Sequence, residues 1–154
     1  MLTPEERQKI EAEMAHYPAK QAVCIDAMKI VQKRRGWLSD ESLRDIADVL
    51  GMTVAELDGV ASFYNLLLRK PVGRHVIWIC DSVSCWIMGY DRQRSALEKR
   101  LGIGLGQTTP DDRFTLLPIV CLGCCDRAPA MLIDEDLHPD LTPERIDAIL
   151  ERYK

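Results

Sequence analysis

Three cysteines stand close together in the stretch IVCLGCCDRAP, which covers residues 119 to 129. Cys121 and Cys124 form a CxxC pattern, which is typical of dithiol redox sites and of zinc sites. Cys121 and Cys125 form a CxxxC pattern, which indicates a different kind of site. The local sequence therefore leaves open which of these thiols act together.

A second pair of cysteines lies upstream, in the stretch CDSVSC. Cys80 ends a short apolar run, and Cys85 follows five positions later, after a loop that we expect over residues 81 to 84. Cys121 follows the next apolar run along the chain. If these two runs are parallel strands joined by a right-handed crossover, they end at the same edge of a sheet. We therefore expect the two cysteine groups to lie close together.

Three kinds of site could use these thiols. A thioredoxin-type CxxC needs its first thiol at a helix N-terminus, because the helix dipole lowers the thiol pKa, whereas CLGCCDRAP runs into Pro129 and a strand. A zinc ion would take four thiolates in a tetrahedron, and a 2Fe-2S cluster would take two cysteine pairs. Spacing alone favours zinc and iron–sulfur about equally.

The other candidate ligands are weaker. Cys24 lies within a helical pattern and is expected in the core, which is a common place for a free cysteine. His16, His75 and His138 are scattered along the chain, and none has the spacing that a Rieske-type centre requires. No histidine is therefore predicted to bind metal.

The first part of the chain has the pattern of short amphipathic helices. The predicted helices cover residues 3–14, 20–36, 39–51 and 53–67. Helix-start residues are Thr3, Ser39 and Thr53, and helix-end residues are Gly36 and Gly51. Because each helix must bury its apolar stripe against the others, we predict a helical bundle over residues 1–71.

The pattern changes after a linker with Pro and Gly near residues 71 to 73. The predicted strands are 75–80, 113–120, 130–134 and a short return strand in EDLHPDL, with helices over 90–102 and after the cap residue Thr142. This order predicts a small sheet with helices packed on it. We therefore predict an α+β fold, with an α/β domain over residues 72–154.

Length and composition are those of an ordinary globular protein. The chain has 154 residues, 47% of them hydrophobic, and a net charge of −4. Residues 1–70 carry 10 Lys and Arg against 11 Asp and Glu, and the rest carry 10 against 13, so neither half is basic and a nucleic-acid partner is disfavoured. The charged N-terminus and the lack of a long apolar run predict a cytoplasmic protein without membrane insertion. In that reducing compartment, six cysteines favour metal or redox chemistry over disulfides.

The cysteine stretches also resemble those of a known family. CDSVSC followed by LPIVCLGCCDRAPAMLIDED resembles the CxxxxC and CxxxC pair of the thioredoxin-like 2Fe-2S ferredoxin family. GVASFYNLLLRKPVGRH and LTPERIDAILERYK are similar in character and position to the E subunits of bacterial NADH:quinone oxidoreductase, respiratory complex I. The resemblance implies a thioredoxin-like domain that carries one 2Fe-2S cluster. Carried over by position, its ligands are Cys80, Cys85, Cys121 and Cys125, and Cys124 is an extra thiol.

The resemblance implies a function as well. The chain would be an electron-transfer subunit of an NADH-oxidising module, without NADH dehydrogenase activity of its own. Its cluster would exchange single electrons with the FMN of the flavoprotein F subunit, which also binds NADH. The larger iron–sulfur G subunit would be a second partner. The assembly would form a peripheral arm on the cytoplasmic side of the inner membrane.

Other functions are also compatible with parts of the sequence. Related subunits serve NAD-linked hydrogenases and formate dehydrogenases, and a structural zinc protein is a further alternative. LRDIADVLGMTVAELDGVASFY resembles a helix-turn-helix of an iron–sulfur DNA-binding sensor, but its second helix carries Glu56 and Asp58 and no Lys or Arg. GIGLG at 102 to 106 follows a helix, the reverse of a dinucleotide-binding loop. We expect the helical part to dock on a protein.

Overall fold

The structure is a computed structural model that describes every residue from Met1 to Lys154. The chain divides into two compact units, Met1–Pro71 and Val72–Lys154, which are described separately below. None of the helices combines the length and the apolar character that a membrane crossing requires.

The first unit is helical. Its elements are α1 (Pro4–Met14), a 3-10 turn (Lys20–Val23), α2 (Cys24–Arg35), α3 (Asp40–Leu50) and α4 (Val54–Phe63). The predicted caps are confirmed, because Thr3 and Thr53 form capping boxes and Ser39 accepts a hydrogen bond from the backbone N–H of Ser42. The second helix starts later than predicted, after the 3-10 turn, and the fourth ends earlier, at Phe63.

The core of this unit is formed by apolar side chains from all four helices. Fully buried members are Ile10, Val23, Met28, Val31, Leu38, Leu43, Ile46, Leu50 and Leu57. Each helix therefore buries one apolar stripe against the others, as the amphipathic pattern predicts.

An ionic cluster lies beside this core. Arg35 donates two hydrogen bonds to the carboxylate of Glu6, at 3.1 and 3.0 Å, and a third to Asp45 at 3.2 Å. The Glu6 side chain is only 2% exposed. Its pKa is lowered from 4.5 to about 2, because Arg35 and the N–H of Thr3 donate hydrogen bonds to the carboxylate. The cluster joins α1, α2 and α3.

The second unit is a five-stranded sheet with three helices. Its elements are β1 (His75–Cys80), α5 (Val83–Ile87), α6 (Tyr90–Leu101), β2 (Gln107–Thr108), β3 (Phe114–Ile119), a 3-10 turn (Cys125–Arg127), β4 (Met131–Ile133), β5 (Asp136–His138) and α7 (Pro143–Leu150). The strand order is β2-β3-β1-β4-β5. Strands β1 and β3 are parallel, and the other pairs are antiparallel. The prediction of an α+β fold, with helices first and an α/β unit second, is confirmed.

The sheet core explains why these strands form. Buried side chains from the strands pack with buried side chains from α6 and α7; they include Ile77, Ile79, Leu97, Leu116, Met131, Ile133 and Ile146. Tyr153, which follows α7, donates its hydroxyl to Asp136 at 2.8 Å and contacts Nε2 of His138 at 2.8 Å. These bonds fix the end of the chain to β5.

Three local predictions for this unit differ from the structure. The segment after Cys80 forms the short helix α5 rather than a loop, and β2 was not predicted. Thr142 precedes α7 with an extended backbone, but its side chain does not make the predicted capping hydrogen bond. Helix α5 buries only Cys85, and β2 has only two residues, so neither has an apolar period that a sequence pattern could reveal.

Candidate iron–sulfur centre

The two cysteine groups meet at the ends of β1 and β3. Cys80 is the last residue of β1 and lies opposite Ile119, the last residue of β3, two positions before Cys121. The N–H of Asp81 donates to the carbonyl of Ile119 at 3.0 Å and holds the two strand ends together. Cys80 contributes to the lowered pKa of the Cys121 thiol, so the structure brings the two cysteine groups near each other.

The loop after β3 forms one thiol pair. The Sγ atoms of Cys121 and Cys125 lie 3.8 Å apart. Gly123, between them, has a φ of 75°, a backbone conformation that suits glycine. Its N–H donates to Sγ of Cys121 at 3.3 Å, and this bond lowers the pKa of the Cys121 thiol. The pKa of the Cys125 thiol is raised, chiefly by Cys121.

The second pair is formed by Cys80 at the end of β1 and Cys85 on α5. Both side chains are buried, each with 2% exposure. Burial, together with the neighbouring Cys80 thiol, raises the pKa of Cys85 to about 11. The N–H of Ala130 opposes this shift by donating a hydrogen bond to the Cys85 sulfur. Cys121 and Cys125 are exposed, in contrast to this pair.

This arrangement fits a cluster with two metals. Two thiolates that bind one tetrahedral metal at about 2.3 Å lie about 3.8 Å apart, which matches the separation of Cys121 and Cys125. No three His, Cys, Asp or Glu side chains converge closely enough to hold a single metal ion. A 2Fe-2S cluster places only two protein ligands on each iron, so the four thiols suit it as two pairs.

Comparison with known proteins identifies the family. A family model for the thioredoxin-like 2Fe-2S ferredoxin matches residues 10–154. The chain belongs to the thioredoxin-like 2Fe-2S ferredoxin family. The family and the thioredoxin-like fold that the cysteine stretches predicted are thereby confirmed.

Relatives with nearly the same length are known for this ferredoxin. It is 57% identical to the E subunit of the NADH-quinone oxidoreductase of Escherichia coli strain K12, over 99% of this chain and 92% of that protein. The E subunit of the Pseudomonas aeruginosa enzyme is 50% identical over the same shares of the two chains. Among solved structures, an air-oxidised NAD+-reducing NiFe hydrogenase matches with a TM-score of 0.74 and 27% identity, over 85% of this chain and 22% of that one.

The cysteines and histidines that were not predicted to bind a metal are not members of the four-thiol group. Cys124 is half-buried and directly precedes the 3-10 turn at Cys125. Cys24 packs against the helical core as expected, although it begins α2 rather than lying in the middle of a helix. His75 bonds Asp134 at 2.6 Å, and His138 bonds Tyr153.

An exposed apolar surface beside the thiols was missed in the sequence. It consists of four residues from α5 and the turn after it and one residue from the loop after β3: Val83, Trp86, Ile87, Met88 and Val120, which are 59 to 71% exposed. We refer to these five residues as the apolar rim. Val120 adjoins Cys121, and Ser84 of α5 contacts Cys125, so the rim flanks the exposed pair. The sequence signal that could have revealed this surface is the presence of apolar residues next to the cysteines in each loop.

Proposed function

We propose that this chain is the electron-transfer iron–sulfur E subunit of an NADH-quinone oxidoreductase. In this proposal Cys80, Cys85, Cys121 and Cys125 hold one 2Fe-2S cluster. The observation that carries it is the meeting of two cysteine pairs at the ends of parallel strands, with the separation in the exposed pair that one metal requires. Near full-length similarity to E subunits supports the same function.

The residues around the thiols have distinct roles in this function. When bound, the cluster supplies reversible one-electron chemistry. Burial of Cys80 and Cys85 would keep water from one side of a bound cluster, and the N–H groups of Gly123 and Ala130 donate to the sulfurs of Cys121 and Cys85. Because hydrogen bonds and solvent exposure set the reduction potential of such clusters, these groups control how readily an electron is accepted.

The partner of the exposed pair is proposed to be the flavoprotein F subunit, which binds FMN and NADH. The apolar rim supports this, because large apolar side chains exposed in both cysteine loops favour a protein-binding surface there. A partner seated on the rim would lie beside Cys121 and Cys125, where an electron has the shortest path. The larger iron–sulfur G subunit is the second proposed partner.

We further propose that residues 1–71 act as a separate docking domain. Phe63 and Leu66 are 77% and 48% exposed, and Tyr64 packs edge-on against Phe63 at 5.2 Å. This apolar group at the end of α4 suits a protein partner better than the phosphate backbone of nucleic acid, because α4 carries Glu56 and Asp58 and no Lys or Arg. The proposed location is the peripheral arm on the cytoplasmic side of the membrane.

A second candidate function is the equivalent subunit of an NAD-linked hydrogenase. The structural match to part of an NAD+-reducing NiFe hydrogenase favours it, since the same fold occurs there within a much longer chain. Both functions use a one-electron carrier, and they differ in the enzyme that surrounds it.

Purification from the native host tests the proposal. The chain should co-purify with a flavoprotein that oxidises NADH with a quinone acceptor. After reduction with dithionite, the isolated chain should give the electron spin resonance signal of a reduced 2Fe-2S cluster. A colourless zinc protein, specific DNA binding at moderate salt, or co-purification with a nickel hydrogenase would each contradict the proposal.

A further inference from the structure

The loop after β3 is held at its far end by a residue that follows β5. The 3-10 turn Cys125–Arg127 closes this loop, and Arg127 is its last residue. The N–H of Asp140 donates to the carbonyl of Arg127 at 2.8 Å. In return, the Arg127 side chain donates to Oδ2 of Asp140 through Nε at 2.9 Å and through Nη2 at 2.5 Å. Asp140 therefore binds both the backbone and the side chain of a residue two positions after Cys125.

Asp140 has a backbone conformation that its neighbours hold in place. Its φ is 50°, in the left-handed region, which costs free energy for a residue other than glycine. Arg145, on α7, donates a hydrogen bond from Nη1 to the Asp140 carbonyl at 2.8 Å. Leu141, the next residue, is 1% exposed and donates its N–H to the carbonyl of Pro129 at 2.9 Å. The side of the contact that carries Asp140 is therefore anchored to α7 and to the sheet core.

A loop with exposed thiols is the kind of segment on which such a contact has the most effect. Cys121 and Cys125 are both exposed, and they lie outside the strands of the sheet. Opening of this loop alone would break the bonds between Arg127 and Asp140 while the sheet stays folded. An exposed ion pair adds little to the global free energy of unfolding, so the main effect of these bonds falls on the loop.

We propose that Asp140 is a positioning residue of the iron–sulfur centre, which holds Arg127 and thereby keeps Cys125 beside Cys121. This inference rests on the proposed function and its ligands. Asp140 acts through Arg127 and supplies no ligand of its own. Without this contact the loop opens more often, and a bound cluster is released faster.

Three variants remove the contact in different ways. Asp140→Asn keeps the backbone N–H, and asparagine tolerates the left-handed conformation, but the charge that attracts Arg127 is lost. Arg127→Gln removes the same ion pair from the other side. Asp140→Ala also loses the residue type that tolerates this backbone. Arg92→Gln is the matched control, because it removes another exposed ion pair of the same unit, to Glu144 at 3.5 Å.

Iron release from the full-length, cluster-loaded chain measures the effect. The rate at which excess EDTA bleaches the visible absorbance should rise about fivefold in Asp140→Asn and in Arg127→Gln, the factor expected for one lost hydrogen bond. Asp140→Ala should release iron faster still, and Arg92→Gln should match the unmodified protein. The urea midpoints of Asp140→Asn and Arg92→Gln should be equal, which separates opening of the loop from a general loss of stability.

Amide hydrogen exchange of residues 121–127 in the metal-free chain reports on the loop without the cluster, and it should be faster in Asp140→Asn than in Arg92→Gln. Equal rates of iron release in these two variants would overturn the inference and leave the proposed function intact. A faster release that is matched by a lower urea midpoint would overturn it as well. Metal and sulfide analysis of the unmodified chain without a two-iron, two-sulfide stoichiometry would instead overturn the proposed function itself.

Discussion

Cys121 and Cys125 lie with their sulfur atoms 3.8 Å apart in the exposed segment after β3, although three residues separate them. The positive φ of Gly123 folds the loop back and turns its N–H toward Cys121. Cys124 belongs to the same loop but takes no part in this pairing. This separation supports our proposal that CxxxC, rather than CxxC, is the metal-binding pair.

Replacement of single cysteines tests this assignment. Cys80→Ala, Cys85→Ala, Cys121→Ala and Cys125→Ala should each abolish the visible iron–sulfur spectrum, because in each variant one of the two irons would lose one of its two protein ligands. Cys124→Ser should retain the spectrum and the iron content of the unmodified protein. A cluster that survives Cys125→Ala but not Cys124→Ser would reverse the assignment.

A charge placed in the apolar rim should weaken binding of the flavoprotein partner. Ile87→Glu would bury an unpaired carboxylate in the interface, and we expect affinity to fall by at least about tenfold, or about 1.4 kcal/mol. Leu137→Glu is the matched control, because Leu137 is a 43% exposed apolar residue on β5. Affinity can be measured by calorimetry with the purified partner. Equal effects of the two variants would show that the rim is not the contact surface.

The Glu6–Arg35 pair should make the first unit sensitive to acid. Because the folded pKa of Glu6 lies near 2, below its ordinary 4.5, its stabilisation is present above pH 4.5 and is lost as the pH falls toward 2. Glu6→Gln should lower the free energy of unfolding by about 2 kcal/mol at neutral pH.

Urea unfolding followed by circular dichroism at several pH values measures this effect. Glu11→Gln is the control, because Glu11 forms an exposed pair with Arg7 at 3.7 Å and should contribute less than about 0.5 kcal/mol. If Glu6→Gln kept the same acid sensitivity as the unmodified protein, Glu6 would not be its source.

Gly73 should not tolerate a side chain. A Cβ atom there would lie 2.9 Å from the carbonyl oxygen of Asp112 and 3.1 Å from the backbone nitrogen of Phe114, which cannot move without distorting β3. Gly73→Ala should destabilise the second unit by about 1–3 kcal/mol. In Gly59→Ala the added Cβ meets nothing within 4 Å inside α4, so that variant should gain up to about 1 kcal/mol. Thermal unfolding of both variants measures the difference, and shifts of the same sign would contradict the prediction.

Tyr153 should determine the tautomer of His138. The single hydroxyl proton of Tyr153 is donated to Asp136, so Nε2 of His138 must carry the proton that bridges to the tyrosine oxygen. Tyr153→Phe would leave this buried N–H unpaired, at a cost of about 1–3 kcal/mol. Nitrogen NMR of His138 and urea unfolding report the two effects. Tyr17→Phe is the control: it removes an exposed hydrogen bond to Asp26 and should lower the free energy of unfolding by less. A His138 protonated on Nδ1 alone would contradict the assignment.

Local features of the fold were predictable because their causes are local. The capping boxes at Thr3 and Thr53 each join residues three positions apart, so the sequence contains both partners. The late start of α2 and the short helix α5 were not predictable in this way. Their boundaries depend on which side chains the rest of the unit buries, as the burial of Cys85 alone on α5 illustrates.

The amino-acid sequence alone was enough to predict the family, the α+β fold and the approach of Cys80 to Cys121, because parallel strands joined by a crossover must end at one edge. Only the tertiary structure decided that Cys80 and Cys85 are buried while Cys121, Cys125 and the apolar rim face solvent. Spacing fixes which residues are neighbours along an element, whereas exposure depends on chain segments that are distant in sequence.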